Sequence, residues 1–549
     1  MKIWLLIIFI LAAILRLYSL NLVPPSPSLD EVSIGYNAYS ILHTGRDEYG
    51  SPLPLLLRAY DDWRPALYVY LVVPFIALFG LDVLSVRLPS VILSLLSVFA
   101  TYFLTLEVLG IGKLHILRKK LNKEHIALLS CFLLAISPWH IYISRLGHEV
   151  NLGLFTIIAG IYFFLRFTRE KKTPLFVFSV IFFVLSLYSY QSQKLIVPTI
   201  VILGSIIFWK QLILLKRSLF IGIAIGLVVL IPFLIISISP NALIRLRGTN
   251  AFSASSDRYA KSAVKILEAK QRGDLIGEII NNRRVVSLTI FSENYLSHFN
   301  PNWLTKNEGN EPHKVPNLGL LYPFEFIFMI IGLILLLRSD ITLQNKTFLL
   351  VVILSAPLAA GITTGAPHAM RAYTFLPFLQ ILAGVGGVYL YSFVRKGLVR
   401  YILNSFALLV VTFGIFVFIK NYFYVFPREQ SGSFQYALRS AILYIDSDSQ
   451  KDKTLFISNK DALYQSYMFY LFYTKFDPVE YQKLGGSVSG GFNETHKIGN
   501  VFFTPLPQVL EKNGLYVGNI YEMPKDLSDV TIFNDLNGKR RIGVVEVSK

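Results

Sequence analysis

Two adjacent carboxylates, Asp30 and Glu31, stand just past the first apolar run of the chain, residues 3–20, after the segment Asn21-Leu-Val-Pro-Pro-Ser-Pro-Ser-Leu. A run of that length approaches the roughly 20 helical residues that cross a bilayer. The pair therefore falls at a membrane surface, where acidic groups can act on a substrate carried by a lipid. In the same polar loop Asp61-Asp62-Trp63 leads into Arg64-Pro65. A guanidinium at the lip of an apolar segment can grip a phosphate with two parallel hydrogen bonds; an arginine snorkelling to water is the plainer alternative. A third cluster, Ser144-Arg145-Leu-Gly147-His148-Glu149, fills a very short turn. A carboxylate at the mouth of a span is costly against lipid, so Glu149 should face a cavity or pair with Arg145, unless it only caps the next helix.

Each cluster also has a purely structural reading. Ser28-Leu-Asp30-Glu31 is a capping box, with Ser28 as N-cap, Glu31 three residues on and acids favoured by the helix dipole. That role does not exclude chemistry, because a cap would hold the carboxylates rigidly. Tyr188-Ser-Tyr190-Gln191-Ser192-Gln193-Lys194 is dense in donors and aromatics, as a sugar site would be, or is a polar turn. Pro367-His368-Ala-Met-Arg371-Ala-Tyr373 sets Arg371 and Tyr373 two apart at a helix start, suited to a lipid phosphate or to interfacial anchoring. His298, His313 and His368 have no metal-ligand spacing. No Walker-type loop or Gly-rich nucleotide turn occurs. No metal or cofactor is expected, and for a transferase a lipid-phosphate sugar is the consistent activated donor.

The elements that position these groups follow from composition. The chain of 549 residues is 54% hydrophobic and 16% charged, with a mean hydropathy of +0.53. The spacing predicts about eleven spans, near 3–20, 84–110, 125–143, 152–168, 175–190, 195–209, 219–239, 321–337, 347–361, 374–394 and 401–420. The formal charge of +18 would suggest nucleic acid in a soluble protein. Here the basic residues gather in short loops. They are Lys113, Arg118, Lys119, Lys120 and Lys123; Arg169, Lys171 and Lys172; Lys210, Lys216 and Arg217; Arg338 and Lys346; and Arg395, Lys396 and Arg400. All five groups fall on one side if the N-terminus is cytoplasmic, as the positive-inside rule requires. The apolar segment Pro65–Gly80 is then an interfacial or partly entering helix. The N-terminal run lacks a small-x-small cleavage site and reads as an uncleaved anchor. The single Cys131 allows no intrachain disulfide.

The expected class is a polytopic α-helical membrane protein with a transmembrane domain, 1–424, and a small extracytoplasmic α/β domain, 425–549. The outer loops are 21–83, 144–151 and 240–320. In the C-terminal region, 433–445 and 462–475 have helical periodicity. Residues 454–458, 501–504, 514–517 and 541–547 read as strands, and Asp535-Leu-Asn-Gly538 as a hairpin turn.

The Asp-Glu pair after the first span, Arg64-Pro65 and Ser144-Arg145-x-x-x-Glu149 resemble the C-class glycosyltransferases (GT-C). The resemblance is to the protein O-mannosyltransferase and aminoarabinose-transferase group, glycosyltransferase family 39 and its relatives. Asn294-Tyr-Leu-Ser-His298-Phe, His313-Lys-Val-Pro-Asn-Leu-Gly319 and Pro367-His-Ala-Met-Arg371 are similar to segments of bacterial members. The resemblance covers residues 1 to about 420. It implies an integral plasma-membrane enzyme with a polyprenyl-phosphate sugar donor, an acceptor hydroxyl on protein, lipid or glycan, and inversion at the anomeric carbon. By it, Asp30 is the general base, Glu31 supports it or orients the acceptor, and Glu149 is the second acid. Arg64 holds the donor phosphate where relatives carry lysine, with Arg371 and Tyr373 near the same phosphate. Arg145, His148, Tyr190, Gln191, His313 and His368 are candidate substrate contacts. Relatives often read Lys-Pro-Pro where this chain has Arg64-Pro65-Ala66, and their use of divalent cations varies. Two alternatives stay open. One is a lipid-linked glycan ligase or polymerase, favoured by Arg245, Arg247, Arg258, Arg272, Arg283 and Arg284 in the 240–320 loop. The other is a polytopic transporter, disfavoured because the conspicuous charges lie at the rim rather than mid-membrane.

Overall fold

The computed structural model describes residues 2–547 apart from 61, 111–113, 118, 238, 240–247, 308–310, 312, 395–396, 448–452, 489–494, 508–509, 511–513 and 524–528. Asp61, Lys113, Arg118, Arg245, Arg247, Arg395 and Lys396 thus lie outside the described residues.

Every apolar run expected to span is helical, but their lengths differ. Among the described residues, six helices are long and apolar enough to cross a membrane: Val83–Leu109, Val150–Glu170, Lys216–Ser237, Leu343–Gly361, Tyr373–Tyr391 and Leu398–Gln430. Lys123–Ile136 and Pro138–Ser144 make a seventh if taken as one span bent by 55°. The bend falls where Pro138 has no N–H to continue the ladder. Thr173–Leu187, Gln193–Ile207 and Pro323–Leu337 are shorter apolar helices of 15 residues each. Leu67–Phe79, in the segment read as interfacial, has 13 residues. It rises about 20 Å, short of a hydrocarbon core of roughly 30 Å.

The chain forms two compact units. The first comprises residues 1–13, 94–143 and 150–415 and is mostly helical. Its helices approach closely where side chains are absent: a Cβ on Gly332 would collide with the Leu382 carbonyl, and one on Gly386 with that of Phe328. Across this contact Gln380 donates to Glu325 Oε1 at 2.6 Å.

The second unit comprises residues 14–93, 144–149 and 416–549. Its C-terminal part is a six-stranded mixed sheet in the order 496–498, 501–503, 454–457, 514–519, 540–547, 531–534. Strand Thr454–Ile457 runs parallel to both its neighbours. The hairpin turn at 535–538 joins the last two strands, with Gly538 at φ +82°, a left-handed geometry that suits glycine. His496–Ile498 and Thr531–Asn534 are strands the sequence pattern did not signal. The helix expected over 462–475 breaks at Gln465, φ +63°, and resumes as Ser466–Tyr473.

Within this unit the helix Leu29–Thr44 packs against the C-terminal helices. Tyr36 donates its hydroxyl to the Phe476 carbonyl at 3.3 Å, and its ring meets Tyr481 at 5.9 Å. Glu48 is buried in the same contact. It accepts from Asn37 at 3.1 Å, Tyr467 at 3.0 Å and Ser487 at 2.8 Å. Burial pushes its carboxyl up to about 7, against the lowering effect of those hydrogen bonds.

Candidate active site

The capping box forms as the sequence implies. Ser28 Oγ accepts from the Glu31 N–H at 3.3 Å, and Glu31 Oε2 accepts from the Ser28 N–H at 2.7 Å. The cap fixes the first turn of Leu29–Thr44 and so aims both carboxylates.

Asp30 points to the rim. Its side chain is 50% exposed, and Arg64 Nη2 donates to its Oδ1 at 2.7 Å. Arg64 is delivered by an antiparallel strand pair, Leu56–Ala59 with Asp62–Pro65, in which it faces Leu57. Tyr60, in the turn of that pair, donates to the Leu29 carbonyl at 2.9 Å and ties it to the start of the helix. Burial alone would lower the Arg64 pKa, but Asp30, and after it Glu149, raise it further, so the guanidinium keeps its charge.

Glu31, one residue on, faces inward and is buried. Arg87 donates to it from Nε at 2.7 Å and from Nη2 at 3.3 Å. The Gly147 N–H adds a bond at 2.9 Å to Oε1. That approach needs glycine: a Cβ at 147 would sit 2.6 Å from Val86 Cγ1 and 2.9 Å from the Val86 carbonyl oxygen. With Ser28, four donors occupy the Glu31 oxygens. Arg87 also donates to the carbonyls of Leu20, Pro24 and Ser26 at 2.7, 3.1 and 3.0 Å. Sequence reading did not single out Arg87. The available signal was an arginine inside the apolar helix Val83–Leu109, a costly position that demands a partner.

Arg145 is fully buried and donates to the carbonyls of Leu15, Arg16, Ser19 and Val23 at 3.3, 2.7, 3.1 and 2.8 Å. It closes the C-terminal end of the first helix, whose last carbonyls need such donors, and does not pair with Glu149. Glu149 is buried too. Its Oε2 lies 3.3 Å from His148 Nδ1 and, among the described residues, has no hydrogen-bond partner; its charge acts on Arg64.

The remaining candidates belong to the first unit. Arg371 Nη1 donates to Thr363 Oγ1 at 2.8 Å and to the Thr364 carbonyl at 2.5 Å. Tyr373 is buried, donates to Asn151 Oδ1 at 3.0 Å and stacks on His140. Tyr190 is buried, and Gln191 sits beside it in the turn. The His313 and His368 rings are 5.3 Å apart. His298 is held down to about 4 by burial and is therefore neutral. Its Nδ1–H then donates to the Asn294 carbonyl at 2.8 Å while Nε2 accepts the His368 N–H at 3.0 Å. Among the described residues no three His, Cys, Asp or Glu side chains are grouped to hold a metal.

Residues 63–236 match the sequence profile of the dolichyl-phosphate-mannose-protein mannosyltransferase family. Sequence comparison with characterised proteins gives no match. Among solved structures, ArnT from Cupriavidus metallidurans bound to undecaprenyl phosphate is similar with a TM-score of 0.50 and 11% identity, over 98% of this chain and 96% of that one. The archaeal oligosaccharyltransferase AglB from Archaeoglobus fulgidus, in complex with an inhibitory peptide and a dolichol-phosphate, has a TM-score of 0.49 and 14% identity over 86% of this chain. This chain spans 63% of its length. The protein O-mannosyltransferase Pmt1–Pmt2 complex of S. cerevisiae matches 42% of this chain and 32% of its own, with a TM-score of 0.31 and 18% identity. The ArnT likeness shows a shared fold. Together with the profile match it bears out the resemblance to C-class glycosyltransferases read from the sequence.

Proposed function

We propose that this chain is an integral-membrane glycosyltransferase that moves a sugar from a polyprenyl-phosphate donor to an acceptor hydroxyl at the outer membrane face, with inversion. The observation that carries this reading is the half-exposed Asp30 carboxylate paired to a buried, charged Arg64 at a rigid helix start. Asp30 takes the acceptor proton as the hydroxyl oxygen attacks the anomeric carbon. The bond to phosphate breaks on the opposite side, and polyprenyl phosphate leaves with both bonding electrons. A phosphate leaving group needs cationic stabilisation rather than a proton, and Arg64 supplies it. Glu149, whose charge acts on Arg64, orients the acceptor. Glu31, Arg87 and Arg145 position the loop and touch no substrate. Residues 425–549 lie outside, with the N-terminus cytoplasmic, in keeping with the one-sided basic loops.

The test is to offer purified protein in nanodiscs a panel of polyprenyl-phosphate sugars and follow release of polyprenyl phosphate. Asp30-dependent release with at least one sugar is expected. Failure of the wild-type protein to bind any donor in the panel would overturn the reading. Mass spectrometry of glycans lost on gene deletion identifies sugar and acceptor, and a lost polymer rather than a single added sugar would favour the ligase or polymerase alternative.

A further inference from the structure

Within the first unit, between the apolar helices Lys216–Ser237 and Pro323–Leu337, the chain includes the consecutive helices Ser256–Arg272, Leu275–Ile280 and Arg283–Ser297. Gly273, at φ +67°, ends the first, and Asp274 caps the second through the Gly277 N–H at 2.9 Å. The first helix has an inward face, where Ser262 and Ala269 are buried and the Tyr259 and Ser287 hydroxyls share a hydrogen bond of 2.7 Å.

A different face is apolar and open. Val264, Leu267, Leu275, Ile276, Ile279 and Ile280 are each more than half exposed. The second helix buries none of its residues. A surface bathed in water on all sides would not collect large aliphatic side chains in this way. The stripe is flanked by the exposed Lys261 and Lys270, and Arg283 and Arg284 follow directly after it. Over residues 256–284 there are seven Lys and Arg against four Asp and Glu. The third helix is tied to a membrane-length helix, since Tyr295 donates its hydroxyl to the Leu354 carbonyl at 2.8 Å. Leu354 lies in the second half of that helix, Leu343–Gly361, so the arm is fixed to a membrane-length element.

We propose that this helical arm lies on the bilayer surface, its aliphatic stripe in the headgroup–acyl boundary and its flanking basic residues against anionic lipid phosphates. The pattern is that of an interfacial amphipathic helix, and the charge complements an anionic leaflet. The proposal goes beyond the transferase reading and does not rest on it.

The experiment uses the full chain, one protein per nanodisc, with Cys131→Ser as background and single cysteines at Leu267, Ile276 or Ile279 carrying a fluorophore. Lys265 is the control, about 160° round the helix from Leu267. With spin-labelled lipid in the disc, quenching severalfold greater at the three apolar positions than at Lys265 is expected. In discs with anionic lipid, raising the salt should reduce the difference, since exposed charges are screened. Equal quenching on both faces, or none at Ile276 and Ile279, would overturn the proposal. Quenching or energy transfer that appears only when two copies share a disc would do the same, by making a second copy the occupant.

Discussion

Asp30 and Glu31 are adjacent acids on one helix, each paired with an arginine, yet they occupy opposite situations. Consecutive residues on a helix point about 100° apart. One step turns Asp30 to the rim, half exposed with Arg64 on one oxygen, and turns Glu31 inward, where four donors occupy both oxygens. A carboxylate that can gain or lose a proton during a reaction must keep access to a substrate. One already saturated by an arginine, two backbone N–H groups and a low-dielectric surround serves as an anchor. The acid type alone decides neither role.

The sharpest way to break this contrast is Asp30→Asn. Turnover should fall by about 10²–10⁴-fold, as for loss of a general base, while thermal unfolding in detergent stays near that of the wild type. Near-normal turnover in a well-folded variant would reduce Asp30 to a helix-start acid.

Arg87→Met tests the other half. Removing one partner of a buried ion pair costs about 3–5 kcal/mol, so a large drop in unfolding temperature is expected. A compensating Glu31→Leu should recover much of it. A loss below about 1 kcal/mol, the range of exposed pairs, would show that Glu31 is not anchored as described.

Glu48 sharpens the comparison by showing a buried carboxylate with neutral donors and, among the described residues, no cation. Burial holds its folded pKa at about 7, above the ordinary glutamate value of about 4.5. The stability it contributes is therefore fully present below about 4.5 and is lost as pH rises to about 7. Above that the carboxyl is ionised in both states and the dependence ends. Unfolding midpoints from pH 4.5 to 7.5 should fall by the equivalent of up to about 3 kcal/mol, and Glu48→Gln should flatten the slope. An unchanged slope in the variant would assign the dependence to other groups.

Arg64→Lys has the smallest effect. Charge survives while the bidentate fork is lost, so donor affinity should weaken by about tenfold, near 1.4 kcal/mol. Arg64→Ala should weaken it more. Titration of a polyprenyl-phosphate sugar into both variants checks this, and unchanged affinity in both would return Arg64 to a snorkelling role.

The local features were legible in advance because their causes are local. The Ser28–Glu31 box, the apolar helices, the 535–538 turn and most of the sheet strands follow from hydrogen bonds and side-chain periodicity within a few residues. Tertiary structure decided which distant groups meet. Glu31 is held by Arg87, 56 positions away, and by a glycine N–H 116 positions away. Arg145 goes to backbone carbonyls rather than to Glu149, and Tyr373 is turned inward onto Asn151. Residues 14–93 and 144–149 share a compact unit with 416–549, which no linear pattern announces. The physical reason is common to all of these. A charge or hydroxyl taken out of water must find a partner, and the nearest one is set by how helices and strands far apart in the chain pack, not by the residues beside it in sequence.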